Sequence, residues 1–167
     1  MDPIVNKVSQ SGIITLDLSE WLNEHNFEFI DIKEQLYKGI VLKEKDFRSW
    51  IKQNDWIFYT NSYVGVYCST QAIIPTWAYM LISSALEDKS KGVYFGNEEE
   101  VKAQLILDLI NELDTTPFRG KRVVVKGCGE IKTSAYVAIT QKLVSVVSSL
   151  MFGEPCSTVP IFKQKKA

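Results

Sequence analysis

The sequence predicts an α/β protein in which a mixed, partly parallel sheet is flanked by helices. Strand-like and helix-like segments alternate from Tyr63 onward, as in parallel strands joined by crossover helices. A strand–loop–helix–strand pattern also occurs twice in the second half of the chain, which indicates an internally duplicated βαβ unit. A chain of 167 residues can bury one substantial core, so a single domain over residues 1–167 is expected.

Strands and a short helix are predicted in the first 60 residues. Residues 12–18 and 27–32 alternate apolar and polar side chains, which is the period of a half-buried strand. Phe47, Trp50 and Ile51 are spaced by three and four residues, so residues 45–53 are predicted to form an amphipathic helix. Residues 163–167 are expected to form a solvated basic tail.

The predicted repeat occupies residues 61–162. Strands are expected at residues 63–67, 93–95, 122–126 and 158–162. Helices are expected from Pro75 to Glu87, after Asn97, and from about Thr133. Asn97 precedes three glutamates, a composition that favours a helix N-terminus.

The two copies of the repeat are separated by 57 residues. Residues 76–79 (TWAY) match residues 133–136 (TSAY) at three of four positions, and the pair Phe-Gly at residues 95–96 recurs at residues 152–153. Periodicity alone fits one long helix over residues 135–151. The repeat instead predicts that residues 148–152 form a strand, equivalent to the strand before Gly96.

The composition excludes several classes of protein. Basic and acidic side chains number 19 and 20, and this balance argues against a nucleic-acid partner. No signal peptide and no apolar run of membrane-spanning length is visible, so a cytoplasmic protein with no membrane partner is expected. With one histidine, a His-rich metal site is impossible. That residue, His25, lies in a polar stretch and is expected at the surface.

Cys68 and Cys128 directly follow predicted strands, at the edge where α/β sheets build their sites. Cys156 lies on the same edge if residues 148–152 form a parallel strand. Three thiolates without histidine suit zinc, or an iron–sulfur cluster with one open ligand position. Two other interpretations stay open, namely that the cysteines are small buried apolar residues, or that one is a redox or nucleophilic thiol.

The same loops offer a binding site that needs no metal. Hydroxyl groups and helix N-termini could bind a small anion, and an aromatic pocket could bind a small molecule or a protein. The candidate residues are Ser69, Thr70, Trp77, Tyr79, Thr133, Ser157 and Thr158. This alternative makes the protein an interaction module rather than a metal carrier.

Several segments together resemble an uncharacterised bacterial family, domain of unknown function 2480 (DUF2480), over nearly the whole chain. These segments are residues 4–8 (IVNKV) with Gly12, 42–48 (LKEKDFR), 72–80 (AIIPTWAYM), 125–128 (VKGC) and 151–160 (MFGEPCSTVP). The resemblance implies a cytoplasmic protein of Bacteroidetes-type bacteria, with iron–sulfur cluster assembly proteins as expected partners. It supplies no catalytic residues, because the family has no assigned activity.

The hypothesis drawn from the sequence is an accessory protein, more readily non-catalytic than an enzyme. In it, Cys68, Cys128 and Cys156 hold a metal, an iron–sulfur cluster or a client's sulfur. The metal-free interaction module is the first alternative, and an enzyme with a cysteine nucleophile is the second.

Overall fold

The computed structural model describes residues 12–127, 129–154 and 157–165. It confirms the α/β class, with helices flanking mostly parallel strands. The strands are β1 (Ile13–Leu16), β2 (Asn26–Asp31), β3 (Ser62–Tyr67), β4 (Gly92–Phe95), β5 (Arg122–Val125), β6 (Ser149–Glu154) and β7 (Ser157–Lys163). The α-helices are α1 (Leu18–Asn23), α2 (Glu44–Gln53), α3 (Thr76–Leu86), α4 (Glu98–Glu112) and α5 (Thr133–Leu143).

The strands divide between two sheets. One sheet has the order β1-β5-β6-β7, with β6 and β7 antiparallel and the other neighbours parallel. The other has the order β2-β3-β4 and is entirely parallel. The chain correspondingly forms two compact units: the first unit joins the residues up to Asn23 to those from Leu105 onward, and the second unit is Glu24–Gln104. The expectation of a single domain stays a prediction.

The strand that the repeat predicts at residues 148–152 is confirmed. Helix α5 ends at Leu143, and β6 pairs in parallel with β5 so that Phe152 lies opposite Val125. The turn between α5 and β6 is held by a hydrogen bond from the Ser148 N–H to the Lys121 carbonyl, 2.8 Å. Buried apolar residues alone do not distinguish a helix from a strand here, whereas the pairing with β5 does.

Helices α3 and α5 coincide at the spacing of 57 residues, both in their ends and in their buried faces. The buried face of each helix consists of an alanine and two branched aliphatic residues at intervals of four. None of the six side chains is exposed to solvent: Ala78, Ile82 and Leu86 in α3, and Ala135, Ile139 and Leu143 in α5. This pattern is the one that places a helix against a sheet.

The third parallel strand of each unit has the same backbone feature where its pairing with the middle strand stops. Phe95 and Phe152 are each followed by a glycine with positive φ, 131° at Gly96 and 118° at Gly153. A side chain is strained in this backbone conformation, so glycine is required at both places. The repeated Phe-Gly pair is thus explained by backbone geometry.

The duplication extends further toward the N-terminus than the sequence predicts. In the first unit Leu16 lies opposite Val125, and in the second unit Ile30 lies opposite Val66. The following residues, Asp17 and Asp31, are therefore equivalent. Each unit is built on three parallel strands in the same arrangement, with an aspartate at the carboxyl end of the first of them.

Helix α4 begins with the cap that the sequence predicts. The Asn97 side chain accepts a hydrogen bond from the Glu100 N–H (3.1 Å), and the Glu100 carboxylate accepts one from the Asn97 N–H (2.9 Å). This reciprocal pair is a capping box, which satisfies two of the free N–H groups at a helix start.

Candidate functional site

Cys68 directly follows β3, at the carboxyl end of the strands of the second unit. Its side chain is half-buried and packs against the edge of that unit's apolar core. The sulfur lies 3.2 Å from the Thr70 hydroxyl oxygen, and Thr70 also accepts a hydrogen bond from the Ala72 N–H, 3.3 Å. The loop after β3 therefore presents the thiol in an ordered turn.

Asp31 fixes the same loop from the neighbouring strand. Its carboxylate accepts the N–H groups of Ser69 and Lys33, both at 3.0 Å, and lies 3.4 Å from the Lys33 ammonium. Burial raises the pKa of Asp31, but the hydrogen bonds from Ser69 and Lys33 outweigh it and hold the pKa below its ordinary value. Asp31 is therefore ionised at neutral pH, and its carboxylate accepts the hydrogen bond that the Ser69 N–H donates.

Tyr79 and Phe95 form an aromatic pair beside Cys68. Their ring centroids are 5.3 Å apart at 75°, an edge-to-face arrangement. Burial, and then the neighbouring Cys68 sulfur, raise the pKa of Tyr79, so its hydroxyl stays neutral. Phe95 is 65% exposed although one face of its surroundings is the Tyr79 ring. We call Cys68, Tyr79 and Phe95 the aromatic–thiol surface.

Trp77 and Tyr79 contact different aromatic neighbours, and whether they line one pocket stays a prediction. The Trp77 ring packs edge-to-face on Phe47 of α2, with centroids 5.8 Å apart, and belongs to the core of the second unit. Tyr79 contacts Phe95 instead. Residues two apart on a helix lie about 200° apart around its axis, so the two rings face different neighbours. Trp77 is a packing residue, and Tyr79 belongs to the aromatic–thiol surface.

The first unit contains the equivalent of this surface. The Asp17 carboxylate accepts the Ser19 N–H (3.0 Å) and forms an ion pair with Lys126, 3.1 Å. The Ser19 hydroxyl and Lys126 lower the pKa of Asp17 against the opposing effect of burial. Tyr136 and Phe152 repeat the aromatic pair, with centroids 5.4 Å apart at 90°.

The remaining predicted residues are divided between the two sheets. Thr133 is exposed at the start of α5, and Ser157 is exposed at the start of β7. The Thr158 hydroxyl is 3.7 Å from the Met151 sulfur. These three belong to the first unit, whereas Ser69 and Thr70 belong to the second. Whether the five residues bind one ligand stays a prediction.

The three-thiol site stays a prediction, because Cys128 and Cys156 lie outside the described residues. The strand before Cys128 is β5, of the four-stranded sheet, whereas Cys68 follows β3, of the three-stranded sheet. Cys68 and Cys128 thus follow strands of different sheets. Among residues 12–127, 129–154 and 157–165, no group of three or more His, Cys, Asp or Glu side chains is arranged to hold a metal ion.

His25 lies at the other end of the strands from Cys68. It directly precedes β2, and its ring packs edge-to-face on Tyr63 with centroids 5.1 Å apart. It is half-buried rather than a freely exposed surface residue. Six strand residues rising about 3.3 Å each place Cys68 about 20 Å away, so the two cannot act as a nucleophile and its base.

Sequence reasoning did not find Phe95, Phe152, Asp17 or Asp31 as site residues. The Phe-Gly repeat is visible in the sequence, but it carries no sign of ring exposure. The aspartates share only the pattern of apolar residue, aspartate and apolar residue, which is common in strand ends. Within the described ranges, no helix combines the length and the apolar character needed to cross a membrane.

Fold and site together define a duplicated α/β protein whose polar and aromatic residues gather at the carboxyl ends of parallel strands. The family model described as protein of unknown function (DUF2480) matches residues 2–164, and the chain belongs to this family. A search of the curated proteins found no match, and neither did a search of the solved structures.

Proposed function

We propose that the protein is a non-catalytic cytoplasmic accessory protein that binds an apolar segment of a partner protein at the aromatic–thiol surface. The observation that carries this proposal is the exposure of the Phe95 ring, 65%, at the carboxyl ends of the strands. An exposed aromatic ring on a rigid strand is the kind of anchor that interfaces bury.

The residues around the surface have the composition of a protein interface. Ile73, on the loop after Cys68, is 92% exposed, and Met80, on α3, is 66% exposed. Methionine and aromatic residues are enriched where proteins bind each other, and methionine adapts its shape to different partners. A protein segment with apolar side chains is therefore the favoured ligand.

The small-anion alternative has less support. An anion would need free N–H donors in the loop after β3, and the Ser69 N–H is already donated to Asp31. The ionised carboxylate of Asp31 would also repel an anion. Both effects favour an uncharged or apolar ligand at this edge.

For Cys68, the enzyme alternative has no histidine in reach as a general base. A cysteine nucleophile needs a base within hydrogen-bonding distance, and the only histidine of the chain lies at the opposite end of β2. The nearest phenol, Tyr79, is held neutral. These features support binding rather than catalysis.

The three-cysteine hypothesis is the second candidate. Its support is the position of Cys68, a partly exposed thiol in a strand-end loop rather than in the centre of the core. In this candidate, Cys68, Cys128 and Cys156 bind zinc or an iron–sulfur cluster, or accept sulfur from iron–sulfur assembly proteins. Elemental analysis and a visible spectrum of anaerobically purified protein test it. Equal metal content in the wild type and in Cys68→Ser, Cys128→Ser and Cys156→Ser would exclude it.

Photo-crosslinking tests the leading proposal. A photoreactive phenylalanine at position 95 captures the partner in cells, and the identified partner is then purified for titration. Phe95→Ala is expected to weaken binding by about tenfold or more, because truncating a buried aromatic anchor costs more than about 1.4 kcal/mol.

Phe58 provides the matched control. It is 66% exposed, in the turn before β3 at the amino end of the strands. Phe58→Ala is expected to change the affinity less than about twofold. Equal affinity of the wild type, Phe95→Ala and Phe58→Ala would refute the proposal.

A further inference from the structure

The two aromatic pairs have different residues at one equivalent position of the neighbouring strand. Phe95 lies opposite Val66 in the second unit, and Phe152 lies opposite Val125 in the first. Two residues beyond each valine, just after the strand has ended, the second unit has Cys68 and the first unit has a glycine. Cys68 is therefore the structural counterpart of that glycine, Gly127.

The spacing of 57 residues between helices α3 and α5 does not apply to the strands that precede them. Helix α3 begins ten residues after Val66, whereas α5 begins eight residues after Val125. The loop of the first unit is thus two residues shorter. A comparison of the sequence at the spacing of 57 residues does not align Cys68 with Gly127, but the strand register does.

Gly127 lies directly under the Phe152 ring. A Cβ atom placed on Gly127 would be 2.5 Å from the ring's Cζ atom, closer than real side chains approach. The ring occupies the space that a side chain would need. Phe152 is accordingly 38% exposed, compared with 65% for Phe95.

We infer that Cys68 holds the Phe95 ring away from the sheet and so makes the aromatic–thiol surface more accessible, whereas Gly127 lets the Phe152 ring lie closer to its sheet. This inference rests on the proposed binding function and assigns it to one copy of the duplication. The two copies share their strand arrangement but differ in how exposed the phenylalanine is, 65% for Phe95 and 38% for Phe152, and the second unit binds the partner.

Strand β7 offers a competing explanation for the lower exposure of Phe152. It pairs with β6 and places Val159 opposite Phe152, whereas β4 is an outer strand of its sheet. Val159 is itself 60% exposed. Substituting Cys68 and Gly127 separates the two causes, because it leaves both strand arrangements unchanged.

Fluorine NMR of protein carrying fluorophenylalanine measures the exposure of each ring, through line broadening by a soluble gadolinium chelate. Resonances are assigned with Phe95→Leu and Phe152→Leu. In Cys68→Gly, the broadening of the Phe95 signal is expected to fall by about 1.7-fold, the ratio of the two exposures. Cys68→Ser, which keeps a side chain of similar size, is expected to leave it unchanged.

Gly127→Ala makes the reverse change. Gly127 does not have the positive φ that excludes other residues, so alanine suits its backbone and the ring must move instead. The broadening of the Phe152 signal is expected to rise. Unchanged broadening of Phe95 in Cys68→Gly would overturn the inference and leave β7 as the cause.

A binding probe distinguishes failure of this inference from failure of the proposed function. Anilinonaphthalene sulfonate, a dye that binds exposed apolar surfaces, is expected to bind Cys68→Gly more weakly than the wild type or Cys68→Ser. If the Phe95 ring is less exposed in Cys68→Gly than in the wild type but dye binding is unchanged, the role of Cys68 is supported, and binding at this surface is not. If the Phe95 ring in Cys68→Gly stays as exposed as in the wild type, the role of Cys68 is refuted, whether or not dye binding changes.

Discussion

Ile82 and Ile139 give a matched test of the duplicated core and of the single-domain prediction. They occupy the same place on α3 and α5, one in each unit, and neither is exposed. Replacing isoleucine by valine deletes one methylene group, which costs about 0.5–1.5 kcal/mol in a closely packed core. Ile82→Val and Ile139→Val should therefore lower the free energy of unfolding by similar amounts.

The number of transitions depends on how the two units unfold. In a single cooperative domain of this size, each kcal/mol lost from the free energy of unfolding lowers the melting temperature by about 2–4 °C. The shift is then the same in fluorescence and in circular dichroism. Units of about 80 residues that unfold separately would each shift by about 4–8 °C per kcal/mol, in their own signal only. We expect the single transition.

Thermal and urea unfolding distinguish these outcomes, followed by tryptophan fluorescence and by circular dichroism. Trp50, Trp56 and Trp77 belong to the second unit and Trp21 to the first, so the fluorescence reports mainly on the second unit. Val137→Ala, at a position that is 55% exposed, is the control and should cost less than about 0.5 kcal/mol.

Two results would refute the reasoning. A loss smaller than that of the control at either isoleucine would contradict the packing of that helix face. A change in Ile82→Val confined to the fluorescence signal would contradict the single domain.

Three further variants test the local interactions. The folded-state pKa of Asp31 is lowered, so its stabilisation is present above the unfolded value and lost as pH falls through the folded one. Asp31→Asn should cost about 1 kcal/mol in urea unfolding at pH 7, and this difference should begin to shrink near pH 3.8 and vanish only below the lowered folded-state pKa. A constant difference across pH would contradict it. Asn97→Ala removes a capping side chain and should cost about 1 kcal/mol, against a negligible loss for the exposed Gln53→Ala. Gly96→Ala should cost about 1–3 kcal/mol by thermal unfolding, since its φ is 131°, and no loss would refute the required glycine.

Local sequence patterns determined most elements of this fold. The alternation in residues 27–32 predicts β2, and the spacing of Phe47, Trp50 and Ile51 predicts α2, because side-chain period reflects which face is buried. The strand at residues 148–152 needed the repeat, since its apolar residues fit a helix equally well. The equivalence with β4 supplied the missing information.

The candidate site was only partly predictable. The position of Cys68 at a strand end follows from the sequence, and so does the placement of Tyr79 on a helix beside it. The sequence did not predict that Trp77 packs on Phe47, because the packing of α2 against α3 is a long-range contact that no local pattern specifies. The exposure of Phe95 could not be predicted either, because it also depends on contacts between residues distant in sequence.

The sequence by itself determined the α/β class, the duplicated βαβ unit and the strand-end position of the thiol, since each depends on residues close together in the chain. Only the tertiary structure decided that β3 and β5 belong to different sheets and that Cys68 corresponds to Gly127. Strand order and register are set by contacts between residues far apart in sequence. Such contacts determine which side chain lies beside a ring, and hence which copy of a duplicated surface is more accessible.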